Sequence, residues 1–275
     1  MTSPAYAFAI EKIWYYVHRL ICAAILLFLI APILVIIPLS FNSEPFFSYP
    51  MPGLSLRWYR EFFLTDRWQG ALHNSIFIAL SVTLLSTVLG TLAALGLSRP
   101  NFPWRTAVMG LLISPMIVPV VITAIGVYFF YADVGLLSTY TGLILAHTTL
   151  ATPFVVITVT ATLQGFDHSL TRAAAGLGAP PTTIFFKVVL PLILPGMISG
   201  ALFAFLTSFD DVVVALFVAS VEQRTLPRAM FSGIREEISP TITAAATVLV
   251  VFSVVMLATV ELLRRRSERL RGIRP

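Results

Sequence analysis

Six long apolar runs, separated by short polar stretches, constrain this chain more than any other feature. They cover about residues 20–41, 70–98, 106–131, 140–163, 190–219 and 241–263. Each is roughly 20 residues or longer, enough helix to cross a hydrocarbon layer about 30 Å thick. In lipid the backbone must satisfy its own hydrogen bonds, so a helix is the form these runs take. Composition agrees: hydrophobic residues make up 57% of the chain and charged residues only 11%, whereas soluble domains are about 25% charged. The first run could be a signal peptide, but it ends in Pro38-Leu39-Ser40-Phe41 with no small-residue cleavage site and exceeds the ~7–15 apolar residues of such a leader. The fold expected is an all-α membrane protein with six transmembrane helices, residues 1–275 forming one transmembrane domain.

Six spans put both termini on one side, and charge sets which. With the N-terminus inside, Lys12, Arg19, Arg99, Arg105, Arg172, Lys187 and the six tail arginines are cytoplasmic, against Arg57, Arg60, Arg67, Arg224, Arg228 and Arg235 outside. Cytoplasmic loops carry the excess of Lys and Arg, so the topology reads N-in, C-in. Residues 42–68 then form an outer loop, whose Trp58, Tyr59, Phe62, Phe63 and Trp68 suit a helix lying at headgroup level. Gly90, Ala93, Ala94 and Gly96 of the second run suit close helix packing. Pro115 and Pro119 mark a kinked third span, and Pro153 lies near the middle of the fourth.

The longest cytoplasmic loop is 168–189. One short helix over 168–178, capped by Ser169 or Thr171, leads to Gly178 and Pro180-Pro181, which force a turn. Thr182 or Thr183 can cap a second short helix, and Pro191 and Pro195 interrupt the chain as it enters the fifth run. Two short helices joined by a stiff elbow form a docking element that a soluble partner can reach.

The chain lacks the means to bind ATP itself. A phosphate loop needs G-x-x-x-x-G-K-[ST], and the two lysines follow Glu11 and Phe186. Histidines 18, 73, 147 and 168 have neither i, i+4 spacing nor thiolate partners for a metal and read as packed or interfacial residues. No nucleophile–base set emerges, so the expectation is a transport protein without catalytic, metal or cofactor residues. The strongest ionic signal within an apolar run is Asp210-Asp211, in SFDDVVVALFV. A carboxylate near the bilayer centre costs on the order of 2.5–3.5 kcal/mol. Either the pair serves a cationic solute or protons, one acid lining the path while the other pairs with a neighbouring helix, or the fifth span is shorter than the run and leaves both acids near the outer interface. Tyr128 and Tyr131 could stack on the same cation or belong to an interfacial aromatic belt.

Residues 172–195, RAAAGLGAPPTTIFFKVVLPLILP, resemble the cytoplasmic signature loop of the membrane subunits of binding-protein-dependent ABC importers, roughly E-A-A-x-x-L-G-A, a spacer, then L-P. Ala173, Ala174, Leu177, Gly178, Ala179, Leu190 and Pro191 match; Arg172 stands where the family carries glutamate. GLSLRWY (53–59), HNS (73–75), SPMIVPVV (114–121) and ATPFVV (151–156) are similar to other family segments, and SFDDVVVALFV and residues 225–249 to the spermidine/putrescine subgroup. The resemblance implies a multi-pass bacterial inner-membrane permease that pairs with a second, usually different, permease. Two ATPase subunits would carry Mg-ATP and dock on Arg172, Ala173, Ala174, Leu177, Gly178 and Ala179, and an external binding protein would deliver the solute. Permeation of another small solute such as iron, thiamine or an amino acid, or proton-coupled secondary transport, are the competing expectations.

Overall fold

The computed structural model describes residues 9–99, 102–236 and 239–270. In chain order the helices are α1 (Ala9–Leu39), α2 (Arg57–Leu64), α3 (Asp66–Leu97), α4 (Arg105–Ile117), α5 (Val120–Val134), α6 (Tyr140–Gln164), α7 (Ser169–Gly176), α8 (Pro181–Ile184), α9 (Leu190–Phe209), α10 (Val213–Val218), α11 (Leu226–Glu236) and α12 (Pro240–Leu270), with a π-helical turn Phe185–Val189 between α8 and α9. Among the described residues the extended pairing is one isolated bridge, Asn42 to Leu54. Among the described residues, five helical stretches are long and apolar enough to cross a membrane, or six if α4 and α5 count as one.

The third run departs from the single kinked span expected over 106–131. Its two helices bend by 101°, with Val118 in extended backbone (ψ 133°) and Pro119 capping α5. A proline ring steers the residue before it away from helical angles, and Pro119 makes the break. Pro115 stays inside α4.

The fifth run is also redrawn. Pro191 and Pro195 do not interrupt it: Pro181–Phe209 is one helical stretch of 29 residues. Pro191 has no N–H to place in an α ladder. The turn before it is widened, the N–H of Leu190 reaching back five residues to the carbonyl of Phe185, so the ladder loosens beside the proline without breaking. At its far end the helix stops at Phe209, ten residues short of the end expected. Three other helices extend beyond the apolar runs into polar sequence: α1 begins at Ala9, α3 at Asp66, and α12 reaches Leu270. Residues 1–8, Pro100 and Asn101, and the tail arginines Arg271 and Arg274 lie outside the described residues.

The chain separates into two compact units, residues 1–63 with 236–252, and residues 64–235 with 253–275. In the first, the outer loop is ordered. Trp58 Nε1 donates to the carbonyl of Asn42 at 2.6 Å, the Ser40 and Tyr59 hydroxyls meet at 2.6 Å, and the Ser55 N–H donates to the Phe41 carbonyl at 2.7 Å. α2 is the aromatic helix expected at headgroup level, yet Trp58 and Phe62 are buried inside the protein. Its apolar face has found protein rather than lipid.

The second unit is built on α6, which packs on α3, α4, α9 and α10. Close approach depends on small residues. A Cβ at Gly90 of α3 would lie 2.6 Å from Val155 Cβ, and one at Gly200 of α9 would lie 2.8 Å from Val155 Cα. Helices in lipid associate through such packing, because the tails around them are as apolar as the side chains. Ala94 is fully buried in this core, while Gly96 of the same expected stripe has open space around it.

One polar cluster ties the end of α3 to the segment after α10. Asn74 Nδ2 donates to the carbonyls of Glu222 (2.7 Å) and Arg224 (3.1 Å), its Oδ1 accepts from the Tyr140 hydroxyl (2.9 Å), and Ser75 Oγ accepts from the Leu226 N–H (2.7 Å). Both belong to the HNS segment. Asn74→Ala removes three bonds at a buried site and should cost about 1–3 kcal/mol. The expected result is a lower thermal midpoint and faster tryptic cleavage at Arg224; wild-type protection of that bond would show that the tie is unnecessary.

Candidate functional site

The acid pair occupies a helix break. α9 makes its last turn with the Asp210 N–H donating to the Leu206 carbonyl at 3.0 Å, and α10 starts again at Val213. This is the shorter fifth span that the sequence left open, and the run VVVALFV after the acids forms a separate six-residue helix. The two carboxylates have different surroundings. Asp210 is exposed. Asp211 points inward: its side chain is 10% exposed, its Oδ2 accepts the Ala215 N–H at 3.0 Å, and the same oxygen lies 3.3 Å from Nε2 of His147. The amide bond satisfies a donor that the first turn of α10 would otherwise leave open.

His147 sits on α6 and is 1% exposed. Its Nδ1 is 2.9 Å from Ser208 Oγ on α9. The Nε2 contact is an ion-pair distance without hydrogen-bond alignment. Sequence reasoning read His147 as packed and did not connect it with Asp211, 64 positions away. A titratable residue inside a spanning run is itself a pointer to function, and that was the signal available.

The two tyrosines differ in exposure. Tyr131 is 6% exposed within the apolar cluster that contains Ala124, Leu143 and Val218, while Tyr128 is 37% exposed. Both are on α5, which packs on α10, but no hydrogen bond joins either tyrosine to Asp210 or Asp211.

The segment between α6 and α9 contains the elbow. Residues 172, 173 and 175–178 are exposed, and Leu177 is 89% exposed. The turn is closed by two bonds, from the Ala179 N–H to the Ala174 carbonyl (3.1 Å) and from the Gly178 N–H to the Ala175 carbonyl (2.9 Å). This is the Schellman pattern, in which the residue after the helix takes a left-handed conformation. Gly178 has φ +80°. Neither expected cap is used. Asp167 accepts from both the N–H (2.8 Å) and the hydroxyl (2.6 Å) of Ser169, and these bonds hold its carboxyl below the usual range. Pro180, with no side-chain bond, precedes α8, whose first residue is Pro181, a position where a missing N–H costs nothing. A cleft of 250 Å³ lies beside this element, lined by Arg99, Leu163, Phe166, His168, Thr171 and Val189 among others. From the elbow the 29-residue stretch leads without interruption to Asp210, a rise of about 43 Å at helical spacing.

Residues 86–269 match the family of binding-protein-dependent transport system inner membrane components. The chain belongs to this family. The permease is 35% identical over 240 residues to the spermidine/putrescine transport system permease protein PotC of Haemophilus influenzae, covering 87% of this chain and 93% of that protein. It is 34% identical over 259 residues to the putrescine transport system permease protein PotI of Escherichia coli K12, covering 90% of each. Among solved structures, a bacterial ABC transporter involved in the import of the acidic polysaccharide alginate superposes with a TM-score of 0.72 over 96% of this chain and 99% of that one, at 17% identity. That likeness is one of fold. The permease is thus an inner-membrane transport component, and the matched residues include the elbow, the acid pair and His147.

Proposed function

We propose that this permease lines the pathway of an ATP-driven importer for a polyamine-class cation, with Asp210 of the acid pair at the α9–α10 break as the group that meets the solute. The carrying observation is the exposed Asp210 at the point where a spanning helix stops. A cationic amine would pair with this exposed carboxylate through charge-assisted hydrogen bonds, and the names of PotC and PotI point to the same solute class. Tyr128, exposed on α5, would contribute an aromatic wall, while Tyr131 is buried in the apolar core. An external binding protein delivers the solute, and a second permease, a different chain, completes the pathway.

ATP hydrolysis belongs to two partner ATPases that bind Mg-ATP, and this chain transmits their motion. Arg172, Ala173, Ala174, Leu177, Gly178 and Ala179 form the surface on which an ATPase docks, with Ala174 and Ala179 half-buried and the others exposed. Because the elbow is continuous with the helix ending at Asp210, displacement of one end is carried to the other. Arg172, exposed and basic where the family has an acid, calls for an acidic or purely shape-based counterpart.

The test is uptake by proteoliposomes containing the assembled transporter with its binding protein. Asp210→Asn keeps the shape and removes the charge. Losing a charge-assisted contact costs about 1.5–3 kcal/mol, so KM for spermidine should rise roughly ten- to hundredfold. Unchanged KM in both Asp210→Asn and Asp211→Asn would end the cation-path reading.

A further inference from the structure

The difference between the two acids has a cause outside their own helix. Asp211 and Asp210 are neighbours in sequence, yet one is turned into the protein and the other out. The group that meets Asp211 is His147, reaching across from α6, and His147 is held in turn by Ser208, two residues before Asp210. All three side chains are 10% exposed or less. The hydrogen-bond direction follows from the chemistry. A neutral imidazole carries one N–H, and a lone pair on Nε2 facing a carboxylate would be repelled. With the ring neutral, the Ser208 hydroxyl donates to Nδ1 and the Nε2 proton lies on the Asp211 side, at contact distance but outside hydrogen-bond alignment. Ser208 sets the tautomer, His147 neutralises part of the burial cost of Asp211, and Asp211 satisfies the first turn of α10.

We propose that His147 is a positioning residue that divides the acid pair: it withdraws Asp211 to hold the α9–α10 break, so that Asp210 alone is presented to the cation. This rests on the cation-path reading above and deepens it. The site offers a solute one carboxylate from this chain, and any further negative charge along the path comes from elsewhere. The break itself is held by α6, the helix on which α3 and α9 both pack.

The experiment compares His147→Ala, His147→Gln, Asp211→Asn, Asp210→Asn and the doubles His147→Ala/Asp211→Asn and His147→Ala/Asp210→Asn in the assembled transporter. Uptake of spermidine supplies KM and maximal rate; thermal unfolding of the solubilised complex supplies stability. Asp210→Asn should raise KM at least tenfold. His147→Ala and Asp211→Asn should instead lower the maximal rate several-fold with KM within twofold of wild type. Their double should be no worse than the more damaged single, because both remove the same contact, whereas the losses of His147→Ala and Asp210→Asn should multiply. His147→Gln places an amide N–H near the Nε2 position and should restore at least half the rate, a rescue that mere filling of the cavity would not produce. It also carries the test if His147→Ala fails to assemble.

Multiplicative losses for His147→Ala with Asp211→Asn, or a KM rise in His147→Ala equal to that of Asp210→Asn, would overturn the proposal. Thermal midpoints separate its failure from that of the cation path. Equal drops in the two singles and their double, together with an unchanged KM in Asp210→Asn, would leave the His147–Asp211 clamp standing and remove the cation from it. Additive drops would remove the clamp whatever the solute.

Discussion

Replacing Gly200 with leucine is expected to abolish assembly of the permease. Even a bare Cβ at this position would stand 2.8 Å from the Val155 Cα and 2.6 Å from Thr158 Oγ1. The first of these is backbone and cannot rotate away. Val155 is fully buried and is also approached by Gly90 of α3, where an added Cβ would lie 2.6 Å from its Cβ. α6 is therefore met at one residue by glycines of two helices, which leaves little room for an added side chain at either. Overpacking a well-filled core costs about 1–3 kcal/mol per site when side chains can adjust; here helix axes must move apart. Gly200→Ala should lower the thermal midpoint measurably, and Gly200→Leu should give aggregated protein on size-exclusion chromatography. Gly96→Ala is the control, since open space surrounds that position, and it should behave as wild type. A monodisperse Gly200→Leu complex of wild-type stability would show that α6 and α9 do not cross this closely in the membrane.

What the sequence made legible follows the same physics. Spanning runs were visible because the cost of charge in lipid leaves a long-range imprint, and the close crossing at Gly90 and Ala94 was visible because only small residues permit it. The Gly178 elbow was legible because glycine followed by two prolines leaves the backbone few choices. Hydropathy could not separate Pro119, which breaks the third run, from Pro115, which does not, since the two differ in backbone angles and not in composition. It ran through Asp210 and Asp211 because three valines and a leucine follow them. It also passed over α11, whose residues fall in a polar loop although Leu226 and Ala229 are fully buried. The pairing of His147 with Asp211 is a tertiary fact: two residues on different helices meet only once α6 and α9 have packed. Pro191 misled for a local reason, because the widened turn before it absorbs what an ideal helix would not, and Pro195 stays inside α9 without a break.

Enlarging Gly178 is expected to leave the permease inserted and assembled but to uncouple ATP hydrolysis from transport. Two costs are combined at this residue, and the structure separates them. Its φ of +80° penalises any L side chain by about 1–2 kcal/mol, with asparagine the mildest. Space is not limiting within this chain, since an added Cβ meets nothing within 4 Å. If strain in the turn were the whole effect, alanine and leucine would be equally damaging and asparagine nearly harmless. If the open space beside Gly178 is where the ATPase fits, damage grows with side-chain volume beyond what the backbone explains. The expected order of transport rate is wild type, then Asn, then Ala, then Leu, with Gly178→Leu more than tenfold down while the ATPase subunits still hydrolyse. Thermal midpoints of Ala and Leu should agree, because strain is common to both. Coupled uptake at the wild-type rate in Gly178→Leu would place the ATPase contact elsewhere on the loop. Equal loss in Ala and Leu would assign the effect to the turn alone, with the Schellman closure of α7, rather than a fitted groove, transmitting motion into the helix that ends at Asp210.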